Sequence, residues 1–296
     1  MTLENFIPSV WSAKLLESLK KAHVYTQTGV VNTDYQGDIT GQGSVVKING
    51  IGSVTVKPYT KNVPIDAPEV LTDAQTSLTI DQADYFNFEV DDIDAAQQQP
   101  KVMTGAMAQA AYDTSEVSDI YAAGLMYAGV AGGNKIGTTA AGIVPDPDTS
   151  GETMYDYIVD LGTKLSNAAC PKNGRWIIIP PWATGELVKD ERFTNMAASG
   201  SPDALRNGFV SRIAGFDVLE PLNVPTVTGT GGESAKTDSV ILAGQPMAFS
   251  FAEQINKVVP YRPELAFSDA IKGLHLYGAK VVRPTCLASL IARQVD

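Results

Sequence analysis

The spacing of apolar residues divides the chain into an extended first part, one long helix, an alternating stretch and a strand-rich end. After Pro8-Ser9, a helix-start signal, Leu15, Leu16 and Leu19 fall on one side of a short helix, with Lys14, Lys20 and Lys21 mostly opposite. Residues 26–40 are polar and punctuated by glycine. Residues 44–49 and 53–58 both read as strands, and Asn49-Gly50 between them is the favoured pair for a type I′ turn, so a hairpin is expected. A lone two-stranded hairpin is marginal in water. Its flanks are polar or carry Pro58, Pro64 and Pro68, so it is expected to lie on another copy of the chain. Residues 77–90 give a second strand region, with Leu78, Ile80 and then 85–90.

A long helix is predicted over 101–128, marked by Met103, Ala106, Ala110, Val117, Ile120, Tyr121 and Leu125 at helical spacing. Residues 129–149, rich in Gly, Thr, Pro and Asp, are expected to end it in a loop. Met154, Tyr157, Ile158, Leu161 and Leu165 predict a helix over 152–169. The run at 176–179 is continuously apolar, the mark of a strand buried on both faces. A helix over 181–189 follows, then strands at 216–219 and 240–243 with a flexible loop at 227–236. From 249 to 292 the pattern is mostly strand-like, with 274–277 and 281–282 around Gly278. The class is α+β.

Composition limits the possibilities further. The chain has 296 residues, 44% of them apolar and 19% charged, enough for a substantial core beneath a lightly charged surface. The 33 acidic and 22 basic residues leave a net charge of −11, which suits keeping a polyanion loose and not gripping it. Cys170 and Cys286 lie far apart, with no CxxC partner, so neither a zinc ribbon nor a disulfide framework is expected and a reducing compartment is the default. Lysines interrupt any signal-peptide core, and 120–133 is too short and too rich in Ala and Gly to span a bilayer, so a soluble, cytoplasmically made protein is expected.

Candidate chemistry is sparse. His23 lies at the end of the first predicted helix and His275 in a strand, and there is no GxSxG elbow to supply a nucleophile. Glu89, Asp91, Asp92 and Asp94 form an acidic cluster, read as caps for the long helix or as a subunit contact in preference to a metal site. Residues 146–151 imitate the start of a calcium loop, but its closing position holds Tyr157 in place of glutamate. Gly133-Asn134-Lys135 lacks the Ser or Thr of a phosphate-binding loop. No catalytic residue, metal ligand or cofactor is predicted.

Several stretches carry a resemblance. Phe6-Ile-Pro-Ser-Val-Trp-Ser12, Leu15-Leu-Glu-Ser-Leu19, Gly29-Val-Val-Asn32, Ile80-Asp-Gln-Ala83 and Phe86-Asn-Phe-Glu-Val-Asp-Asp-Ile93 come in order. Arg206-Asn-Gly208, Arg212-Ile-Ala-Gly-Phe-Asp-Val218 and Tyr277-Gly-Ala-Lys280 follow. As an ordered set they resemble the tailed-bacteriophage major capsid proteins of the Hong Kong 97-type fold. The resemblance implies an N-terminal arm (1–35), an extended β-hairpin loop (36–76), a peripheral domain with a long spine helix (77–144 and 246–296) and an axial α/β domain (145–245). It implies a subunit that assembles into pentamers and hexamers of an icosahedral virion shell around double-stranded DNA, held by weak, non-specific proximity. Assembly contacts are expected at Trp11, Leu15, Leu19, Lys47, Asn49, Gly50, Lys57, Asp91 and Asp92. A separate scaffolding protein, or none, is expected, with portal and decoration proteins as further partners and no membrane. Lys47, Lys57 and Lys61 lie where some members crosslink, but nothing marks one as activated. Glycines at 37–43 and 129–137 are candidate hinges. An encapsulin-type nanocompartment shell is the close alternative, and a soluble α/β hydrolase or binding protein the distant one.

Overall fold

The apolar run Val240-Ile-Leu-Ala243 offers no polar face to solvent, and all four residues are buried in the middle of the larger of the two main sheets, a third being a two-stranded ladder. They belong to β9 (Thr237–Gly244), which pairs antiparallel with β12 (Leu287–Ala292) on one side and β5 (Trp176–Ile178) on the other. A computed structural model describes residues 24–34, 45–51, 56–59, 61, 62, 64, 67, 73–91, 101–139, 142–146, 151–190, 212–228, 237–264 and 267–294. In it β5 runs parallel to β7 (Phe216–Leu219), which pairs with β6 (Arg212–Ile213), while the short β4 (Lys135–Ile136) runs parallel to β12. The order is β4-β12-β9-β5-β7-β6, with β8 (Thr226–Thr228) also on β9. Between β6 and β7, Ala214 and Gly215 both take positive φ, 47° and 87°, as a two-residue type I′ turn requires.

Two helices accompany this sheet. Thr153 and Asp156 form a reciprocal capping box at the start of α2 (Met154–Asn167). Its buried residues are Met154, Tyr157, Ile158, Leu161 and Leu165, the set its spacing predicts. Pro181 begins α3 (Pro181–Lys189), where its missing N–H costs nothing. A buried ion pair ties the end of β12 to β9: Arg293 Nε donates to Asp238 Oδ1 at 2.7 Å, and the Gly142 amide donates to Asp238 Oδ2 at 2.8 Å.

The smaller sheet has three strands. β11 (Ser268–Val281) lies between β10 (Phe249–Tyr261) and β3 (Gln82–Asp91), antiparallel to both. The long helix α1 (Lys101–Gly129) packs against it. The buried face of α1 is Met107, Ala111, Ser115, Ser118, Ala122 and Met126, spaced by three and four residues. This differs from the spacing expected, which included Val117 and Ile120: both are about half exposed. Small and polar residues face inward because the helix lies close to the sheet. A Cβ on Gly129 would come within 2.4 Å of Val281 Cγ2.

The hairpin expectation is corrected. Asn49 and Gly50 lie within β1 (Val45–Ile51), opposite Gln75 and Ala74 of β2 (Asp73–Thr79). The strand partner is therefore 73–79 and not 53–58, and the boundary drawn at 76 falls inside β2. Nor does the ladder depend wholly on another copy. Val46, Ile48, Leu78 and Ile80 form one core cluster with Ala252 of β10 and Leu276 of β11. Three further expectations differ. The last strand, β12, joins the larger sheet, whereas β10 and β11 lie with α1. The glycine-rich 129–137 segment is packed, with β4 paired to β12. Glu89 and Asp91 lie in β3, well before α1 begins at Lys101, so they do not cap it.

The ladder meets the smaller sheet where Gly278 allows it. A Cβ there would sit 2.3 Å from the Thr79 carbonyl oxygen and 2.8 Å from Ile80 Cα, both backbone atoms. Gly278→Ala is expected to cost about 2–3 kcal/mol, by overpacking that no rotamer change relieves. Gly105→Ala, in open space on α1, is expected to be neutral or to stabilise by up to about 1 kcal/mol. Urea denaturation of the two variants beside the parent checks both.

Candidate assembly surface

Alternation along β3 sorts its side chains. Phe86 and Phe88 turn toward the cluster of Met107, Ala111, Val258 and Ile271. Tyr85, in phase with exposed Asn87 and Glu89, points outward and is 80% exposed. A groove of about 600 Å³ runs between β3 and α1, lined by Tyr85, Phe88, Ala106, Ala110, Asp113 and Val117. Further along α1, Tyr112 and Ile120 are also about half exposed. Apolar side chains thus recur on the outer side of a helix whose inner side is alanine, serine and methionine. A surface of this kind marks contact with other molecules.

The ladder contributes a second exposed patch. Its inner face is covered as described, while Val45 and Lys47 face outward. Beyond β1, Val56 is 92% exposed and Tyr59 75%, with Lys57 exposed between them. Leu222 and Phe267 project singly from loops.

A buried carboxylate ties the start of the described chain to the long helix. Asp119, almost wholly buried on α1, accepts from the Val24 amide at 2.8 Å, the Thr26 amide at 3.3 Å and Thr26 Oγ1 at 3.0 Å. Tyr25 is fully buried beside it, and burial followed by the Asp119 charge pushes its phenol well above the usual range. Further on, Asn32 exchanges backbone bonds with β10: its amide donates to Phe249 O at 2.9 Å, and the Phe251 amide donates to Asn32 O at 3.0 Å.

An aromatic and acidic cluster joins α1 to the smaller sheet near the foot of the ladder. Tyr121 OH donates to Asp81 Oδ1 at 3.1 Å, Tyr277 OH donates to Asp84 Oδ2 at 2.7 Å, and the two rings meet edge to face at 5.4 Å. His275 stacks on Tyr277 at 4.9 Å, with its Nε2 3.3 Å from Glu253 Oε2. Burial, then the Asp81 charge and hydrogen bond, push the Tyr121 phenol up to about 12. Because the raised value favours the protonated form, this contact is fully present below pH 10 and is lost as pH climbs toward 12. The His275–Glu253 contact is buried. Among the described residues, no group of three or more His, Cys, Asp or Glu side chains could hold a metal ion. No helix among them is long and apolar enough to cross a membrane.

Of the expected contact residues, Lys47 and Lys57 are exposed, Asn49 and Gly50 lie within β1, and Asp91 ends β3 opposite Ser268. Trp11, Leu15, Leu19 and Asp92 lie outside the described residues, as do the first predicted helix and the 37–43 hinge. Tyr85, Tyr112 and Asp119 were not singled out by the sequence. The phase of Tyr85 with Asn87 and Glu89 was a usable signal for one of them.

The sequence matches no protein-family model and no curated protein. Solved structures match over most of their length. One from Mycobacterium phage Che8 is 28% identical, with 88% of each chain covered and a TM-score of 0.69. The capsid structure of cyanophage P-SCSP1u is 16% identical, covering 93% of this chain and 87% of that one, also at 0.69. A virus-like particle from Pyrococcus furiosus is 11% identical, covering 96% and 98%, at 0.51.

Asp119→Asn keeps the size of the side chain but replaces one acceptor oxygen with a donor facing donors. It is expected to cost about 1–3 kcal/mol and to quicken proteolytic cleavage within residues 24–34. Denaturant titration and timed proteolysis read the two effects.

Proposed function

We propose, from the premise that this chain has the Hong Kong 97-type fold of tailed-bacteriophage major capsid proteins, that it is the shell subunit of an icosahedral phage capsid and assembles as pentamers and hexamers around double-stranded DNA. The observation that carries the reading is the match to a phage structure at 28% identity over 88% of both chains. The exposed apolar residues support it independently. Val56, Tyr59, Tyr85 and Tyr112 give a lone chain several patches that favour burial, and repeated subunits supply the cover. In this reading residues 1–35 form the arm and 36–76 the extended loop, of which β1, the first part of β2, Val56, Lys57 and Tyr59 are described parts. Helix α1 is the spine, the smaller sheet is peripheral and most of the larger sheet is axial.

The proposed partners are further copies of the chain, a separate scaffolding protein during assembly, portal and decoration proteins, and packaged DNA. With a net charge of −11 the subunit would contain DNA without clamping it. Lys47 and Lys57, exposed on the loop, are proposed to touch a neighbour, as are Trp11, Leu15, Leu19, Asn49, Gly50, Asp91 and Asp92. A nanocompartment shell is the weaker alternative, since the archaeal virus-like particle superposes at 0.51 against 0.69 for the two phage structures.

Electron microscopy of the expressed protein tests the reading. Uniform closed shells are expected, and a protein that stays a monomer under all assembly conditions would sink it. A double change, Val56→Asp with Tyr59→Asp, should leave the stability of the single chain within about 0.5 kcal/mol, because both residues are exposed. The same variant should sediment as unassembled subunits where the parent forms shells.

A further inference from the structure

Asn-Gly pairs occur at 49–50, 173–174 and 207–208, and the fold treats the two described ones in opposite ways. Asn49 and Gly50 are held in extended backbone inside β1, opposite Gln75 and Ala74. Asn173 and Gly174 form the tip of the turn between α2 and β5, and residues 171–174 are all exposed. Gly174 takes a φ of 68°, in the left-handed region, and a Cβ there would meet nothing within 4 Å. Among the described residues, neither the Gly174 amide nor the side chain of Asn173 has a hydrogen-bond partner. The Asn173 backbone carbonyl accepts one long bond, from Gln245 Nε2 at 3.4 Å.

The two ends of this turn are fixed. The buried Arg175 side chain donates from Nε to Pro171 O at 2.9 Å and from Nη2 to Cys170 O at 2.7 Å. Its Nη1 reaches back to α2, donating to Gly162 O and to Ser166 Oγ, both at 3.1 Å. A cation placed there also meets the negative end of the helix. The Arg175 carbonyl in turn accepts from the Asp217 amide at 2.9 Å. The tip can therefore change conformation while α2 and β5 stay in place.

We propose that Asn173 is a site of spontaneous deamidation in the folded protein, and that Asn49 is protected from it. The Gly174 amide nitrogen, having given its proton to base, attacks Cγ of the Asn173 side chain. A bond from that nitrogen to Cγ forms, the bond from Cγ to Nδ2 breaks, and Nδ2 takes a proton from solvent and leaves as ammonia. The resulting succinimide takes up water at either of its two carbonyls, giving aspartate or isoaspartate. The balance is one water consumed and one ammonia released, with nothing oxidised or reduced. Ring closure requires the nitrogen to rotate over Cγ, and a glycine at the attacking position puts no side chain in the way. At the exposed tip that rotation breaks no hydrogen bond among the described residues, whereas Asn49 must first leave its ladder. Formation of aspartate removes no side-chain bond and adds one negative charge to a chain already at −11. Isoaspartate lengthens the main chain between Pro171 and Arg175, the stretch whose ends the guanidinium holds.

Native and urea-unfolded protein are incubated side by side in mildly alkaline buffer. Samples taken over time are digested with pepsin in acid, where the reaction stops, and the peptides are followed by mass spectrometry. In native protein the peptide containing Asn173 is expected to gain the mass difference between a hydroxyl and an amino group. Two products are expected: one co-eluting with the peptide of an Asn173→Asp protein, the other accepting a methyl group from an isoaspartyl methyltransferase. The peptide containing Asn49 should convert at least about tenfold more slowly in the native protein than in the unfolded one. Conversion of Asn49 as fast as Asn173 in native protein would overturn the proposal. So would an Asn173 that stays intact in the fold while the unfolded chain converts.

Discussion

Strand β11 is where the parts of this protein are forced to agree. It is hydrogen-bonded along both edges, to β10 over 270–281 and to β3 over 268–277, and so fixes the position of both neighbours. The long helix is set against its far end by the contact of Gly129 with Val281. The ladder of β1 and β2 is set against it by the approach of Thr79 and Ile80 to Gly278. Both contacts require a missing side chain, since a Cβ at either glycine would meet atoms at 2.3–2.4 Å. Backbone pairing fixes the strand, and glycine sets the distances of what lies on it.

That arrangement leaves a division of labour between the two sheets. The larger one is buried on both faces along its middle strands, which are continuous apolar runs, and the Arg293–Asp238 pair ties the end of β12 to β9. The smaller one has the long helix against it and carries the ladder at its foot, and much of the exposed apolar surface gathers there. An assembly subunit with a rigid half and a contact-bearing half can repeat the same contacts while its connections absorb differences in curvature. Asp119 supplies one such connection: a single carboxylate holds the backbone of residues 24–26 onto the helix.

The helix α1 shows why pattern reading misjudged which face would be buried. Val117 and Ile120 are apolar at helical spacing, and by pattern alone they belong in a core. In the fold they lie outside, because the helix approaches the sheet too closely for branched side chains and takes alanine and serine inward. At Asn49-Gly50 the local signal for a turn was equally strong, yet pairing with 73–79 outweighed it: the register from Val45↔Thr79 to Ile51↔Asp73 engages every residue of β1, including the Asn-Gly pair.

What the sequence determined by itself was whatever depends on near neighbours along the chain. The buried stripe of α2 follows from its spacing, the start of that helix from Thr153 and Asp156, the doubly buried strands from unbroken apolar runs, and the ordered motifs from their likeness to capsid proteins. What only the tertiary structure decided depends on residues brought together from far apart. It chose the partner of β1, placed β12 in the larger sheet, and turned Val117 and Ile120 outward. Local signals report the energy of a segment with its own neighbours. Pairing, close approach and burial are settled by which distant surface a segment meets, and that is written only in the folded chain.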